Sequence, residues 1–184
     1  AYDRCQVGIV TNIDPAAEDL ARWDVHPSGG EYFTTYRNAY RTQVDVVLRD
    51  GCSVLNACDE IVASLAELSD GEVIFFAADP ACPAMAEHIA AGKRGIFVRD
   101  GRITLATGSE EIRLCRLGDV PVIGRQKDPA TIANVLAAVA AGWALGLTKE
   151  VIATGVKTFG LELPDPAALL PQGARRSPPV AFRN

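Results

Sequence analysis

Thr11, Asn12, Asp14, Glu18 and Asp19 crowd together directly after the apolar run at 7–10. Hydroxyl, amide and carboxylate oxygens at the end of a buried strand are the donors that a hard divalent cation takes. They equally suit a solvated loop whose acids cap the next helix. A second polar group, Asn56 and Asp59, stands in "SVLNACDE", and Asp79 closes "EVIFFAAD". Asn56 and Asp59 also fit a strand-end turn and a helix N-cap, roles compatible with a ligand contact. Asn134 interrupts an Ala-rich run, "IANVLAA", where it faces either a ligand or solvent. Asp24 and His26 fall in the turn-rich "RWDVHPSGG" and read as surface residues. Cys5, Cys52, Cys58, Cys82 and Cys115 are odd in number and include no Cys-x-x-Cys pair. Neither His26 nor His88 has ligand-like spacing to a cysteine, so small thiols of a reducing cytoplasm are expected.

Such residues need elements that hold them. The run at 7–10 reads as a strand buried on both faces of a parallel sheet. Residues 31–43 are helix-like, with Tyr32, Phe33, Tyr36 and Tyr40 on one core-facing stripe. Runs at 44–48 and 53–56 flank an Asp-Gly and predict a hairpin. Residues 59–69 read as an amphipathic helix, 72–79 as a buried strand and 82–93 as another helix. The alternation around a second Asp-Gly in 95–107, with a further strand in 110–124, predicts an antiparallel meander. Asp128 and Pro129 open a long Ala-rich helix to 147, and Thr148 caps another to 159. Five of the eleven prolines lie in 161–184, which reads as a linker or tail. Strands alternating with helices over 1–160 imply an α/β fold with a mostly parallel sheet. Ligands of such sheets bind beyond the carboxyl ends of the strands, which groups Thr11 to Asp14, Asn56 to Asp59, and Asp79.

At 184 residues, 48% apolar and 22% charged, the chain is sized for about one domain with a substantial core. A net charge of −5 argues against a nucleic-acid partner. No apolar run approaches the roughly 18–20 residues that cross a bilayer, so no membrane partner is expected. "AYDRCQVGIV" lacks the basic and apolar regions of a signal peptide, which points to the cytoplasm. It also lacks an initiator Met, so a processed chain or a piece of a longer one is expected.

Five blocks in order, "CQVGIVTNID", "RTQVDVVLRDGCSVLNACDE", "DGEVIFFAAD", "GIFVRDGRI" and "NVLAAVAAGWALGL…TF", resemble the carboxyl-terminal half of cyanophycin synthetases, which is similar to the Mur-ligase superfamily. The resemblance covers roughly residues 1–160. It implies a Mur-like central domain, a parallel sheet flanked by helices with a small antiparallel part at its side. It also implies an ATP- and Mg-dependent amide ligase that activates a carboxylate as an acyl phosphate, in this family joining arginine to an aspartate side chain. Asn56 and Asp59 match the family's Asn-Ala-Asp-Asp block, with Cys58 where its first Asp usually stands. Asn134 matches a helix Asn that faces adenine or ribose. Thr11 and Asn12 match the strand end bordering the metal and phosphates.

The departures carry equal weight. None of Lys93, Lys127, Lys149 and Lys157 ends a Gly-rich phosphate loop. In the family that loop precedes the "VGIVTNI" strand, so the chain is expected to start downstream of it. A triphosphate needs backbone N–H groups and a cation, and nothing in the 184 residues visibly supplies them. Asp19 stands where the family has a metal-ligand His, so it is the candidate metal ligand. Tyr40 replaces a lysine that is carbamylated in related ligases. "PQGARRSPP" distorts the family's Pro-Gly-Arg entry to a third domain, which is not expected here. The resemblance thus implies a ligase segment without turnover as this isolated chain, or a degenerate scaffold that oligomerises or docks on a partner. Either leaves an open apolar sheet edge beside "VGIV", where a second copy or a complementing chain is expected.

Overall fold

Strands with apolar side chains at consecutive positions have to be covered on both faces, and that requirement organises this fold. The structure, a computed structural model, describes residues 4–13, 37–125 and 128–161. In chain order the elements are β1 (Cys5–Val10), α1 (Thr42–Asp45), β2 (Val47–Asn56), α2 (Glu60–Ser64), β3 (Glu72–Ala77), α3 (Pro83–Ala90), β4 (Arg94–Arg99), β5 (Arg102–Thr107), β6 (Glu110–Arg116), α4 (Pro121–Arg125), α5 (Pro129–Ala144) and α6 (Lys149–Thr158). Residues 37–40 are helical as well. A 3-10 segment, Leu65–Leu68, extends α2.

The strands form one six-stranded sheet in the order β1-β2-β3-β4-β5-β6. β1 to β4 are parallel, and β4, β5 and β6 are antiparallel. The fold is therefore α/β with an antiparallel meander, as the alternation of strands and helices implies. The meander continues the parallel sheet through β4. Its hairpin closes at Asp100 and Gly101, with φ of 51° and 68°. Two left-handed residues in succession match the twist of the flanking strands, which is why Asp-Gly suits this turn.

Alternate side chains supply two apolar layers. Val54, Ile74, Phe76, Ile96, Ile103 and Leu105 pack beneath α5 residues such as Leu136, Val139 and Ala140. Leu55, Phe75, Ala77 and Phe97 face the other way, against Val44, Ile61, Val62, Leu65 and Met85. The small side chains of α5 let that helix lie close on the sheet. Its carboxyl end meets the amino ends of the strands, since Ala144 and Leu145 share a crevice with Gln6, Glu72 and Arg94. The amino end of α5 therefore points toward the carboxyl ends of β1 to β4.

Three expectations change. The run at 7–10 is a strand but is not buried on both faces: among the described residues β1 pairs only with β2, which leaves Ile9 exposed and only Val10 of that run buried. Residues 44–56 are not a hairpin: Val44 and Asp45 end α1, and Val47 to Asn56 form one strand. Both halves of β2 pair with β1, and the partner jumps from Val47 opposite Cys5 to Cys52 opposite Val7. The Asp-Gly is thus an irregularity in a parallel edge pair. Gly51 lies so close to β1 that a Cβ would sit 2.5 Å from the Gln6 carbonyl oxygen. The strand expected over 110–124 ends at Arg116, and Pro121 opens α4. Tyr40 packs on the second core layer, as its stripe predicts. Tyr32, Phe33 and Tyr36 lie outside the described residues, as do residues 162–184 of the tail.

Candidate functional site

The carboxyl ends of β1 and β2 are locked together by side chains reaching for backbone. The Asn56 Nδ2 donates to the Thr11 carbonyl at 2.9 Å, while its Oδ1 accepts from the Cys58 N–H at 3.0 Å. Asp59 is the N-cap of α2 and accepts from the Ile61 and Val62 N–H groups, each at 3.0 Å. Its other oxygen accepts from the Ile13 N–H at 2.9 Å. A parallel strand leaves the sheet with unpaired amides and carbonyls, and these two side chains satisfy them.

Thr11 and Asn12 project beyond that lock. The Thr11 hydroxyl donates to Asn12 Oδ1 at 3.2 Å, and Asn12 is exposed. The next loop, after β3, adds an exposed Asp79 whose Oδ1 accepts from the Ala81 N–H at 2.9 Å. The Cys58 thiol reaches the Asp79 carbonyl oxygen at 3.9 Å. Burial, first, and the neighbouring Cys82 thiol push the Cys58 thiol up to about 12.

The structure therefore brings Thr11, Asn12, Asn56 and Asp59 together. Asn134 is not hydrogen-bonded to them among the described residues. It is exposed on the amino-terminal half of α5, at the lip of a groove of about 550 Å³. Val122, Val135, Ala138, Val151, Val156 and Phe159 help to line this groove between α4, α5 and α6. An apolar trough with one amide at its rim can take a flat aromatic ring and bond its polar edge. Asp14, Glu18, Asp24 and His26 lie outside the described residues, and so does Asp19, the candidate metal ligand. Among the described residues no group of three His, Cys, Asp or Glu side chains is placed to hold a metal ion. Nor is any described helix long and apolar enough to cross a membrane.

Asn56 and Asp59 already spend hydrogen bonds on the backbone, leaving Thr11 and Asn12 as the outward donors and acceptors. Sequence reasoning missed Cys82, which joins this end of the sheet because β2 and β3 are parallel neighbours. The signal for it was two successive strand-to-helix loops, each carrying a cysteine.

No family model matches the chain. Over 162 residues, 86% of its length, the chain is 33% identical to a cyanophycin synthetase of Crocosphaera subtropica. It is 31% identical over 159 residues to a cyanophycin synthetase of Synechocystis sp.. It is 28% identical over 155 residues to a UDP-N-acetylmuramoylalanine--D-glutamate ligase of Symbiobacterium thermophilum, covering 30% of that protein. The chain spans about one-sixth (17%) of the length of the two cyanophycin synthetases. With its α/β sheet and side meander, the chain resembles a partial Mur-ligase-like segment, similar over most of its own length to one portion of cyanophycin synthetases.

Proposed function

We propose that this chain forms the nucleotide-proximal part of an ATP-dependent amide ligase of the cyanophycin-synthetase type, which joins arginine to an aspartate side chain in the cytoplasm. The observation that carries this reading is the lock at the strand ends. Asn56 and Asp59 fix the ends of β1 and β2, and Thr11 and Asn12 face outward from them. In this reading Thr11 and Asn12 border the Mg-bound phosphates, Asp19 adds a carboxylate to the metal, and Asn134 meets the adenine or ribose. Bound ATP supplies the phosphoryl group that activates the carboxylate. No Gly-rich loop ending in Lys-Ser or Lys-Thr occurs in the 184 residues, so γ-phosphate binding and turnover depend on chain beyond them.

Amide-resolved NMR with Mg·ADP, together with calorimetry with Mg·ATP, tests both halves of the proposal. Shifts at Thr11, Asn12, Cys58 and Asn134, with a dissociation constant weaker than about 1 mM (about −4 kcal/mol), are expected. Shifts confined to Gln6, Glu72 and Arg94 would refute the site. Affinity tighter than about 1 mM would refute the dependence on outside chain.

A second reading, a non-catalytic scaffold, is favoured by Tyr40, whose ring packs on the core and cannot form a carbamate. Both readings place a further strand, from a second copy or a complementing chain, beside β1. Among the described residues β1 pairs only with β2, and Ile9 is 43% exposed. An open edge of this kind is a template for strand addition. Light scattering should show an oligomer at tens of micromolar, and a clean monomer would count against self-association. A reading frame that continues upstream of Ala1 into a Gly-rich Lys-Thr or Lys-Ser loop would favour the ligase over the scaffold.

A further inference from the structure

All five cysteines are free thiols, and they divide into two sets. Cys52 and Cys115 are each 3% exposed within the core layer beneath α5. Burial pushes the Cys52 thiol up to about 11, as expected of an inert core residue. Cys5 is half-buried on the edge strand β1. Cys58 and Cys82 differ in place: Cys58 is exposed, Cys82 is half-buried like Cys5, and the two occupy adjacent loops. Cys58 lies between β2 and α2, and Cys82 lies between β3 and α3. Because β2 and β3 pair in parallel, with Asn56 opposite Phe76, the two loops leave the sheet side by side. They converge on one atom. The Cys58 thiol and the Cys82 N–H both point to the Asp79 carbonyl oxygen, at 3.9 and 3.5 Å. Cys82 is the N-cap of α3, yet its sulfur makes no capping hydrogen bond, so its side chain is not committed to the helix.

We propose that Cys58 and Cys82 are a paired-thiol modification site that closes to a disulfide on exposure to a small-molecule disulfide such as oxidised glutathione. The Cys82 thiolate attacks one sulfur of the reagent. The reagent's S–S bond breaks, a mixed disulfide forms at Cys82, and one reagent thiolate leaves and takes up a proton. The Cys58 thiolate then attacks the Cys82 sulfur and expels the second reagent thiolate, which is protonated in turn. Two protein thiols are oxidised to one disulfide, and the reagent disulfide is reduced to two thiols. The bridge ties the start of α2 to the start of α3, beside the lock made by Asn56 and Asp59. This inference does not depend on the nucleotide reading.

The test treats the folded chain with oxidised glutathione at pH 8 and follows intact mass and peptide maps. The expected product has lost two hydrogens and links the Cys58 and Cys82 peptides, with full reversal by dithiothreitol. Cys58→Ser should instead accumulate one stable glutathione adduct on Cys82, and neither Cys58→Ser nor Cys82→Ser should form the link. A trivalent arsenical provides an independent probe of proximity. It should bind the reduced wild type at one equivalent and lose at least tenfold in affinity in either serine variant. Stable glutathione adducts on wild-type Cys58 or Cys82, or a link through another cysteine, would overturn the proposal. So would arsenical binding that is unchanged in the serine variants.

Discussion

Replacing Asp59 with alanine probes the lock at the strand ends most directly. The wild-type carboxylate accepts three backbone N–H groups, from Ile13, Ile61 and Val62, at 2.9, 3.0 and 3.0 Å. Losing the α2 cap costs about 1 kcal/mol. The Ile13 N–H is then orphaned beside a side chain that is 4% exposed, which costs a further ~1–3 kcal/mol. The expected loss for Asp59→Ala is therefore about 2–4 kcal/mol. With a urea dependence of about 2 kcal/mol per molar, the unfolding midpoint falls by about 1–2 M. Circular dichroism measures that midpoint. Asp59→Asn sharpens the test, because its oxygen can still cap α2 while its NH2 group opposes the Ile13 N–H. It should lie between wild type and Asp59→Ala, and the Ile13 amide should exchange faster with solvent in both variants. A loss below about 0.5 kcal/mol for Asp59→Ala, or Asp59→Asn less stable than Asp59→Ala, would refute the role assigned to this carboxylate.

Three further perturbations address other parts of the frame. The His88 Nε2–H donates to the Val73 and Arg94 carbonyls at 3.1 and 3.0 Å, and burial lowers the pKa from its usual 6.5. The unfolded chain then takes up a proton that the folded one refuses, so this group's share of stability falls as pH drops below about 6.5 toward the folded pKa. His88→Gln, which keeps a donor but not the titration, should lessen the loss of stability over that window in urea titrations at stepped pH. Arg94 grips Glu72 through two hydrogen bonds of 2.6 Å and lies 4.8 Å from the Trp143 ring. Arg94→Lys gives up the fork, and should cost about 1 kcal/mol in urea unfolding and change the tryptophan emission. Gly51→Ala puts a methyl 2.5 Å from a backbone oxygen of β1, so the strands must part. A loss of about 1–3 kcal/mol is expected, with faster amide exchange in β1 than in β3.

Much of this architecture was legible from local pattern. The strand at 72–77 announces itself by its unbroken apolar run, because a strand covered on both faces has no polar side to show. The run at 7–10 marks a strand equally well but not its place, since β1 lies at the sheet edge with Ile9 43% exposed. Asp59, Asp128 and Thr148 are readable as caps, since capping depends on a short side chain meeting the helix's first N–H groups. The Asp-Gly at 100–101 reads correctly as a hairpin, whereas the Asp-Gly at 50–51 does not. The dipeptide states which backbone angles are easy and is silent on which strand the flanking residues pair with.

The fold class, the ends of most helices and the placing of polar residues at strand ends follow from local pattern, since all of them depend on neighbours within a few positions. It takes the folded chain to show that β2 runs unbroken past Gly51, that Asp59 reaches back to the Ile13 N–H, and that Cys58 meets the loop of Cys82. Those contacts join residues 21 to 46 positions apart. Their partners are chosen by the register of parallel strands, and a parallel register is set by the packing of helices on both faces of the sheet rather than by any turn within the chain.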